Sequence, residues 1–333
     1  MKRFNLWLSA IALASLTGAP SASAAPTTIK VGLSVTEQHY EFHAMQKFEA
    51  YVEEQTNGEL QVELYSHTLG NDSEVLEAIK INAAQMNVPA PSVLGGYAKE
   101  MRLLELLYVF PDEETASRVA DGPWGQKLLE TLDPAGFTGL AITNFGFRQI
   151  SNDIRPIEKL SDLKGLKMRV MQNKATLEAF RALGTNPTPM AFSEVFSALQ
   201  LGTVDGQEGP YTNTYQERFN EVQKYVSDSA HAYSWAVILI GKKFFAGLPP
   251  EQQQIIRDGS RIAVLHMRDA AAKQDAESLQ KMIDGGITFT PIPEETRQAI
   301  KDAVRPAVEA SGKDISESMY QELLEAVEAA QAR

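Results

Sequence analysis

Strand and helix patterns alternate along this chain, and the alternation constrains the fold more than any single motif does. Residues 27–35 and 60–66 are rich in β-branched and apolar side chains, as β-strands are. Between them, apolar residues from Phe42 to Val52 recur at the spacing of a helix that ends at Asn57. This strand–helix–strand rhythm predicts an α/β fold with a largely parallel sheet.

The remaining predicted elements extend the same alternation. The most continuously apolar strand candidate is Trp235–Phe245, and burial on both of its faces predicts a central position in the sheet. We expect Ser193 to cap the helix that follows it. The other predicted strands are 86–90, 147–152 and 166–170, and the predicted helices are 72–85, 174–183, 193–202, 250–283, 294–310 and 316–330.

The order of these elements predicts two lobes. Two α/β lobes joined by strands that cross between them leave a cleft, which is a favoured place for a small-molecule site. We assign residues 25–147 and 236–275 to lobe I, and residues 148–235 and 276–333 to lobe II. The long helix around 250–283 connects the lobes.

The first 24 residues have the pattern of a secretory signal peptide. Lys2 and Arg3 precede an apolar run over 6–16, and Ala22-Ser23-Ala24 offers small residues for cleavage. The run is shorter than the ~20 apolar residues that a membrane-spanning helix needs, and no later segment approaches that length. The sequence therefore predicts a periplasmic protein that is cleaved near Ala24 and does not insert directly into a membrane.

Charge and composition narrow the classes of partner. The formal net charge is -12, and it becomes -14 when Lys2 and Arg3 leave with the signal peptide. Such an acidic chain is a poor candidate for binding nucleic acid or anionic membrane surfaces. The absence of cysteine excludes disulfides, thiolate nucleophiles and thiolate metal sites.

Catalytic and metal-binding patterns are weak. The segment HYEFH places His39 and His43 four residues apart with Glu41 between them, but this is not the spacing of a zinc protease helix. Our preferred interpretation is a helix N-terminus, with Thr36 or a nearby residue as the cap and Glu41 facing the positive end of the helix dipole. There is no serine-nucleophile elbow, P-loop or dinucleotide fingerprint, so we predict no enzyme, no cofactor and no resident metal.

Two arginines on predicted strands favour a binding protein instead. Arg148 lies in the segment 147–152, and Arg169 lies in the alternating strand 166–170, whose apolar side faces a core. Arginine presents a planar fork that matches a carboxylate in two parallel hydrogen bonds, which lysine cannot reproduce. A buried guanidinium without a partner costs several kcal/mol, so the two arginines together predict a pocket for a carboxylate.

These arginines stand in segments that resemble the solute-binding proteins of tripartite ATP-independent periplasmic (TRAP) transporters. The resemblance covers essentially the whole mature chain and rests on the combination of segments. It implies two lobes that close over a small carboxylate ligand and deliver it to membrane permease subunits driven by an ion gradient. The segments are SHTLGNDSEVLEAIKINAAQMNV, FGFRQISNDIRPI, LSDLKGLKMRVM, PMAFSEVFSALQLGTVDGQEGP and IGKKFFAGLP.

The resemblance also implies roles for single residues. It gives Arg169 the bidentate contact to the ligand carboxylate and Arg148 a second contact. Where family members commonly have an asparagine after DGQE, this chain has Gly209, and Asn213 could replace that donor. Ala90 stands where the sialic-acid-binding branch has an acidic residue, which disfavours that ligand. The other residues expected at the site are Phe192, Gln172, His231, Tyr233, His39 and Asn87.

Two ligand classes fit these residues. A C4-dicarboxylate such as succinate or malate is the first choice, because Arg148 suits a second carboxylate. A sugar acid is the alternative, since Gln172, Asn213 and Asn87 suit hydroxyl groups. Two other functions stay open at this point: an exported metal-dependent hydrolase that uses the histidine pair, and a ligand-sensing subunit on the same fold.

Overall fold

The computed structural model describes residues 25–332, which form a mixed α/β structure around one nine-stranded sheet. The predicted signal peptide, residues 1–24, lies outside the described residues. The strands are β1 Thr27–Leu33, β2 Leu60–Ser66, β3 Met86–Asn87, β4 Phe137–Asn152, β5 Lys167–Val170, β6 Asn186–Pro189, β7 Gly206–Gly209, β8 Tyr225–Gly241 and β9 Thr288–Thr290. The α-helices are α1 Tyr40–Gln55, α2 Asp72–Lys80, α3 Pro91–Leu94, α4 Glu113–Asp121, α5 Pro123–Glu130, α6 Lys174–Ala182, α7 Val195–Gln200, α8 Tyr211–Gln216, α9 Lys242–Gly247, α10 Pro250–Asp284 and α11 Glu294–Gln331.

The sheet is mixed, so the prediction of a largely parallel sheet is wrong at its centre. The strand order is β2-β1-β3-β8-β4-β7-β5-β6, with β9 beside β8. Parallel pairs form the two flanks, β2-β1-β3 and β7-β5-β6, whereas β3-β8, β8-β4 and β4-β7 are antiparallel. β4 and β8 have 16 and 17 residues. At ~3.3 Å per residue each spans roughly 50 Å, so both strands run from one flank into the other.

The register of β4 and β8 directs the strands of both flanks toward the middle of this long pair. β3 pairs with Ile240 and then Leu239, so it runs from the end of β8 toward its middle. β7 pairs with β4 from Asn152 back to Gln149, so it approaches the middle from the opposite side. The carboxyl ends of the flanking strands therefore meet near residues 144–148 of β4. In open α/β sheets, ligands bind outside the carboxyl ends of the strands.

Alternate residues of β8 enter two hydrophobic cores on opposite faces of the sheet. Trp235, Val237 and Leu239 pack in a core with α4, α5, α6 and α11. Ala236 and Ile238 pack in a second core with α1 and α10. Because successive side chains of a strand point to opposite faces, burial on both faces explains the continuous apolar run. The predicted central position of this strand is confirmed.

The predicted elements are present, and the differences lie at their ends. β8 ends at Gly241 rather than Phe245, because α9 begins at the next residue. α2 ends at Lys80 rather than at residue 85, since Asn82 has a φ of 61°, which a right-handed helix does not accommodate. Ser193 lies inside a short 3-10 helix and does not cap α7.

Two long helices pack against the flanks of the sheet. α10 contacts α1 and β4, and α11 contacts α6 and α4. α11 is interrupted at Ser316 (φ -166°, ψ 107°), the predicted start of the final helix. Gly312 lets the two parts of α11 pack closely on either side of this kink, since a Cβ there would lie 2.5 Å from the Tyr320 ring.

Neither these helices nor any other within residues 25–332 is long and apolar enough to cross a membrane. The lobe boundaries stay a prediction.

A buried ion pair joins β4 to β7 at the point where the flank meets the long strands. Arg148 Nη2 donates to Glu208 Oε1 at 2.9 Å and to the Glu208 carbonyl at 2.6 Å, and Nε donates to Oε2. Burial alone would raise the pKa of Glu208, but the charge of Arg148 and the hydrogen bonds from His231 and Arg148 together hold it at about 2. Both charges are therefore present at neutral pH.

The first prediction concerns this pair. Glu208→Gln should lower the free energy of unfolding by about 3–5 kcal/mol, because the change leaves Arg148 buried without a compensating charge. Urea unfolding at pH 7 measures the loss. The folded-state pKa of Glu208, about 2, lies below its ordinary value of 4.5. The stabilisation is therefore complete above that ordinary value, and the gap between wild type and variant should shrink as the pH falls toward 2.

The matched control is Glu221→Gln, which breaks an exposed pair with Arg218. This variant should leave the free energy of unfolding nearly unchanged, because exposed pairs are solvated. Equal losses in the two variants, or no loss in Glu208→Gln, would contradict a stabilising role for the buried pair.

Candidate functional site

A cavity of about 330 Å³ lies where the flanking strands end, and its size is within the range of small-molecule sites. Six strands each contribute the residue directly after their carboxyl end: Ser34 after β1, His67 after β2, Val88 after β3, Met171 after β5, Met190 after β6 and Pro210 after β7. The middle of the long pair contributes Phe145, Arg148, Ser234 and Trp235. The cavity therefore sits at the place that the register of the sheet specifies.

Arg169 lines the cavity as a buried guanidinium, and among residues 25–332 it forms no salt bridge. It is 4 % exposed. Its Nε and Nη2 both donate to the carbonyl of Met190, at 3.3 and 3.0 Å, and the Phe192 ring centroid lies 5.8 Å from its guanidinium carbon. Burial lowers the pKa of Arg169 to about 10, so the side chain is still a cation at neutral pH. Neither a carbonyl nor an aromatic ring compensates a full positive charge.

Arg148 lines the same cavity, but Glu208 already compensates its charge. Its Nε and Nη2 donate to Glu208, and its Nη1 donates to Ser234 Oγ at 3.0 Å. Glu208 is held in turn by His231, whose Nε2 lies 3.2 Å from Oε2. The two arginines are therefore not equivalent: Arg148 has a protein carboxylate as its partner, and its contact with a second ligand carboxylate stays a prediction.

A second buried carboxylate, Glu105, lies near the arginines without pairing with either. It accepts hydrogen bonds from the Ser92 amide at 2.9 Å and from Asn173 Nδ2 at 2.7 Å. Burial raises the pKa of Glu105 to about 6 against the effect of these bonds and of Arg148. Glu105 is an anion at neutral pH, and its charge favours the protonated form of Arg169.

Asn213 on α8 lines the cavity and has an unused acceptor. Its Oδ1 is buried without a hydrogen-bond partner among residues 25–332. His39 lies beside it, and His39 Nδ1 accepts the Glu41 N–H at 3.1 Å, which leaves the ring proton on Nε2. Burial lowers the pKa of His39 to about 4, although Asn213 partly opposes this. Neutral His39 therefore carries its proton on Nε2, which, like Asn213 Oδ1, has no hydrogen-bond partner among residues 25–332.

Gly209, Phe192, Gln172 and Ala90 also line the cavity. A Cβ on Gly209 would lie 3.2 Å from Gln207 Oε1 and 3.8 Å from Arg148 Nη2. An asparagine at this position would therefore require a small shift of the buried Gln207. The absent side chain leaves room in front of the ion pair.

Four residues expected at the site lie outside the lining: His39, Asn87, His231 and Tyr233. Asn87 donates to the carbonyl of Asp72 at 3.3 Å. Tyr233 packs edge-on against Trp235 at 4.9 Å between ring centroids. His231 and His39 stand behind Glu208 and Asn213 respectively, as described above. The structure gives these four residues supporting positions, and direct ligand contact by any of them stays a prediction.

The histidine pair does not have the arrangement of a metal site. His39 is the N-cap of α1 and is buried, whereas His43 is exposed on the helix. The cap is thus His39 itself rather than Thr36. Within the described part of the chain, no group of three or more histidine, aspartate or glutamate side chains is arranged to hold a metal ion.

Sequence reasoning missed the acidic side of the cavity. Glu41, in the first turn of α1, and Asp72, the first residue of α2, both line the cavity. Glu41 is 2 % exposed, and its Oε1 has no hydrogen-bond partner among residues 25–332. One signal could have found them. Both acids begin helices that follow β1 and β2, and such helix starts face the cleft of an α/β sheet.

Known proteins similar to this chain share this architecture over most of their length. Residues 31–314 match the family described as bacterial extracellular solute-binding protein, family 7. The C4-dicarboxylate-binding periplasmic protein DctP of Rhodobacter capsulatus is 36 % identical over 318 residues, which make up 93 % of each chain.

Two solved structures extend the likeness to three dimensions. The sugar acid binding protein DctPAm from Advenella mimigardefordensis, in complex with galactonate, has a TM-score of 0.89 and 30 % identity over 92 % of this chain and 99 % of that chain. A TRAP periplasmic solute-binding protein from Shewanella oneidensis with bound succinate has a TM-score of 0.87 and 29 % identity, over 92 % of this chain and 99 % of that chain. The predicted α/β fold of the two-lobed periplasmic-binding type is confirmed. The chain belongs to family 7 of the bacterial extracellular solute-binding proteins, the solute-binding proteins of TRAP transporters.

Proposed function

We propose that this protein captures a small organic acid in the periplasm through a contact between Arg169 and the ligand carboxylate, and delivers it to the membrane permease subunits of a TRAP transporter. The Rhodobacter capsulatus relative is named for C4-dicarboxylates, and the two solved neighbours hold galactonate and succinate. Each of these ligands carries a carboxylate. A protein that binds any of these ligands therefore needs a side chain that recognises a carboxylate.

The observation that carries the proposal is that the buried guanidinium of Arg169 forms no salt bridge among residues 25–332. A buried ion without a partner costs several kcal/mol, and a carboxylate supplies the missing charge together with two aligned acceptors. The Met190 carbonyl occupies Nε and Nη2. A ligand carboxylate engages Nη1 together with Nη2, and the planar guanidinium then fixes the orientation of the ligand.

A ligand that binds to both flanks of the sheet at once also favours closure of the cleft between them. Ser34, His67 and Val88 belong to the flank of β1, β2 and β3, whereas Arg169 and Met190 belong to the flank of β5, β6 and β7. A ligand that contacts both sides stabilises the arrangement in which they are close. Its differential affinity for that arrangement shifts the population toward the closed state, which the permease then recognises.

No specific observation favours the two other functions considered from the sequence. The family comprises solute-binding proteins rather than enzymes, and only His43 of the histidine pair is exposed. A sensing subunit on this fold would need the same ligand contact, so the capture step is the part of the proposal that can be tested on the isolated protein.

The second prediction separates charge from geometry at Arg169. Arg169→Lys should weaken ligand binding nearly as much as Arg169→Ala, by ~2–5 kcal/mol, because lysine keeps the charge but loses the two-point fork. Isothermal titration calorimetry with galactonate and succinate measures the effect on whichever acid the wild type binds. The apo melting temperature should not fall, since the neighbours of Arg169 on β5 still pack the core and no salt bridge is lost.

Arg181→Lys and Arg181→Ala are the matched controls, because Arg181 is exposed on α6 and forms a surface pair with Glu178. Both should bind like the wild type. Tight binding by Arg169→Lys, with Arg169→Ala inactive, would mean that charge alone holds the ligand. Normal binding by both Arg169 variants would refute the proposed contact.

The third prediction concerns Asn213. Asn213→Ala should weaken binding by ~1–3 kcal/mol, because it removes a donor to the bound acid and leaves a buried partner unsatisfied. Gln216→Ala, at the end of the same helix and outside the cavity lining, serves as the control. If the Asn213→Ala titration matches that of the control, the donor that replaces the family asparagine comes from another residue.

A further inference from the structure

The flank that does not carry Arg169 gives the cavity an acidic side. Glu41 and Asp72 line it, and Glu217 lies close enough to influence Glu41. Ser34 Oγ donates to Asp72 Oδ1 at 2.7 Å. The buried Oε1 of Glu41 has no partner among residues 25–332, although the side chain faces a cavity. Because buried polar atoms normally form hydrogen bonds, we expect a polar group of the ligand to hydrogen-bond to this oxygen.

The protonation of these groups narrows the choice of ligand group. Burial, followed by the charges of Asp72 and Glu217, raises the pKa of Glu41 well above its ordinary value. Burial also raises the pKa of Asp72 to about 6 and that of Glu217 to about 7. The raised pKa favours the protonated form of Glu41, whereas Asp72 is largely ionised at neutral pH. This side therefore offers carboxyl oxygens as acceptors, and a donor wherever Glu41 holds its proton.

Three ligand groups can be compared on this side. A second carboxylate would face the Asp72 charge. Apart from Arg169, the described lining residues include no lysine and no arginine free of a salt bridge, because Glu208 pairs with Arg148. An ammonium group can only donate, so it suits Glu41 only when that carboxyl is ionised. A hydroxyl group both donates and accepts, so it can satisfy Asp72 and the unpartnered Glu41 oxygen in either protonation state of Glu41.

We propose that Glu41 and Asp72 bind hydroxyl groups of the ligand and make the cavity selective for polyhydroxy monocarboxylates, the sugar acids, over C4-dicarboxylates. The inference rests on the proposed function, because it needs the ligand carboxylate on Arg169. It reverses the order of ligand classes that the two arginines suggest from the sequence. The unsatisfied oxygen of Glu41 and the occupied guanidinium of Arg148 are the two independent observations behind it.

The test is a calorimetric comparison of D-galactonate, D-gluconate, D-erythronate, succinate and 4-aminobutanoate at pH 7. At least one of the hydroxylated acids should bind wild type more than about 10-fold tighter than succinate does. Glu41→Leu should weaken that acid about 10- to 100-fold, because its hydroxyl group loses its partner. The same variant should change succinate binding less than about threefold.

Two further variants separate a ligand contact from a structural role. Glu41→Gln keeps a donor and an acceptor in the same volume, so it should restore sugar-acid affinity to within about threefold of wild type. Glu54→Leu alters an exposed residue of the same helix and should change nothing. Apo melting temperatures of all variants check that the fold is intact, and Asp72→Asn repeats the test at the second acid.

The outcomes distinguish this inference from the proposed function. The selectivity proposal fails if succinate binds tighter than every hydroxylated acid, if none of them binds, or if 4-aminobutanoate exceeds them. It also fails if Glu41→Leu changes the sugar acid and succinate equally. In each case with measurable binding, loss of that binding in Arg169→Ala preserves the proposed function. Retention of the tightest ligand by Arg169→Ala would instead overturn the proposed function itself.

Discussion

A buried guanidinium that forms no salt bridge among residues 25–332 is the constraint on which the cavity depends. Arg169 is held in place by the Met190 carbonyl and the Phe192 ring, and neither supplies a negative charge. Removing a guanidinium from water costs several kcal/mol. The carboxylates of Glu208, Glu105 and Glu194 favour the charge of Arg169, but none of them forms a salt bridge with it. Binding of an anion recovers this free energy, so the cavity favours an anionic ligand. Arg148 differs because Glu208 completes its charge and makes it part of the framework.

The framework positions these charges through the register of two long strands. β4 and β8 extend across both flanks, and the shorter strands run toward their middle from opposite directions. The carboxyl ends of six strands therefore surround one space, together with the helix starts that carry Glu41 and Asp72. One side of that space presents a cation and the other presents carboxyl groups. An acid with hydroxyl groups complements both sides, whereas a symmetric dicarboxylate complements one.

Much of this could be predicted from sequence, for identifiable reasons. The strands and helices have strong periodic patterns, and Arg169, Arg148, Phe192, Gln172 and Asn213 lie in segments with a specific family resemblance. The antiparallel centre could not be predicted, because pairing between β4 and β8 joins residues about 90 positions apart. The partner of Arg148 was missed for the same reason, since Glu208 reaches it only through the register of β4 and β7. Acidic residues are common in the first turn of a helix, so the sequence alone did not distinguish Glu41 and Asp72 from other such residues. Only the fold shows that both line the cavity.

The central claim is that Arg169, and not Arg148, receives the ligand carboxylate. A crystal structure of the protein with its tightest-binding acid tests this most directly. We expect both carboxylate oxygens of the ligand to lie within about 3.2 Å of Arg169 nitrogens, as in a bidentate pair. We also expect Arg148 to keep its two hydrogen bonds to the Glu208 carboxylate. A carboxylate bound to Arg148 after displacement of Glu208, with Arg169 still turned to Met190, would contradict it.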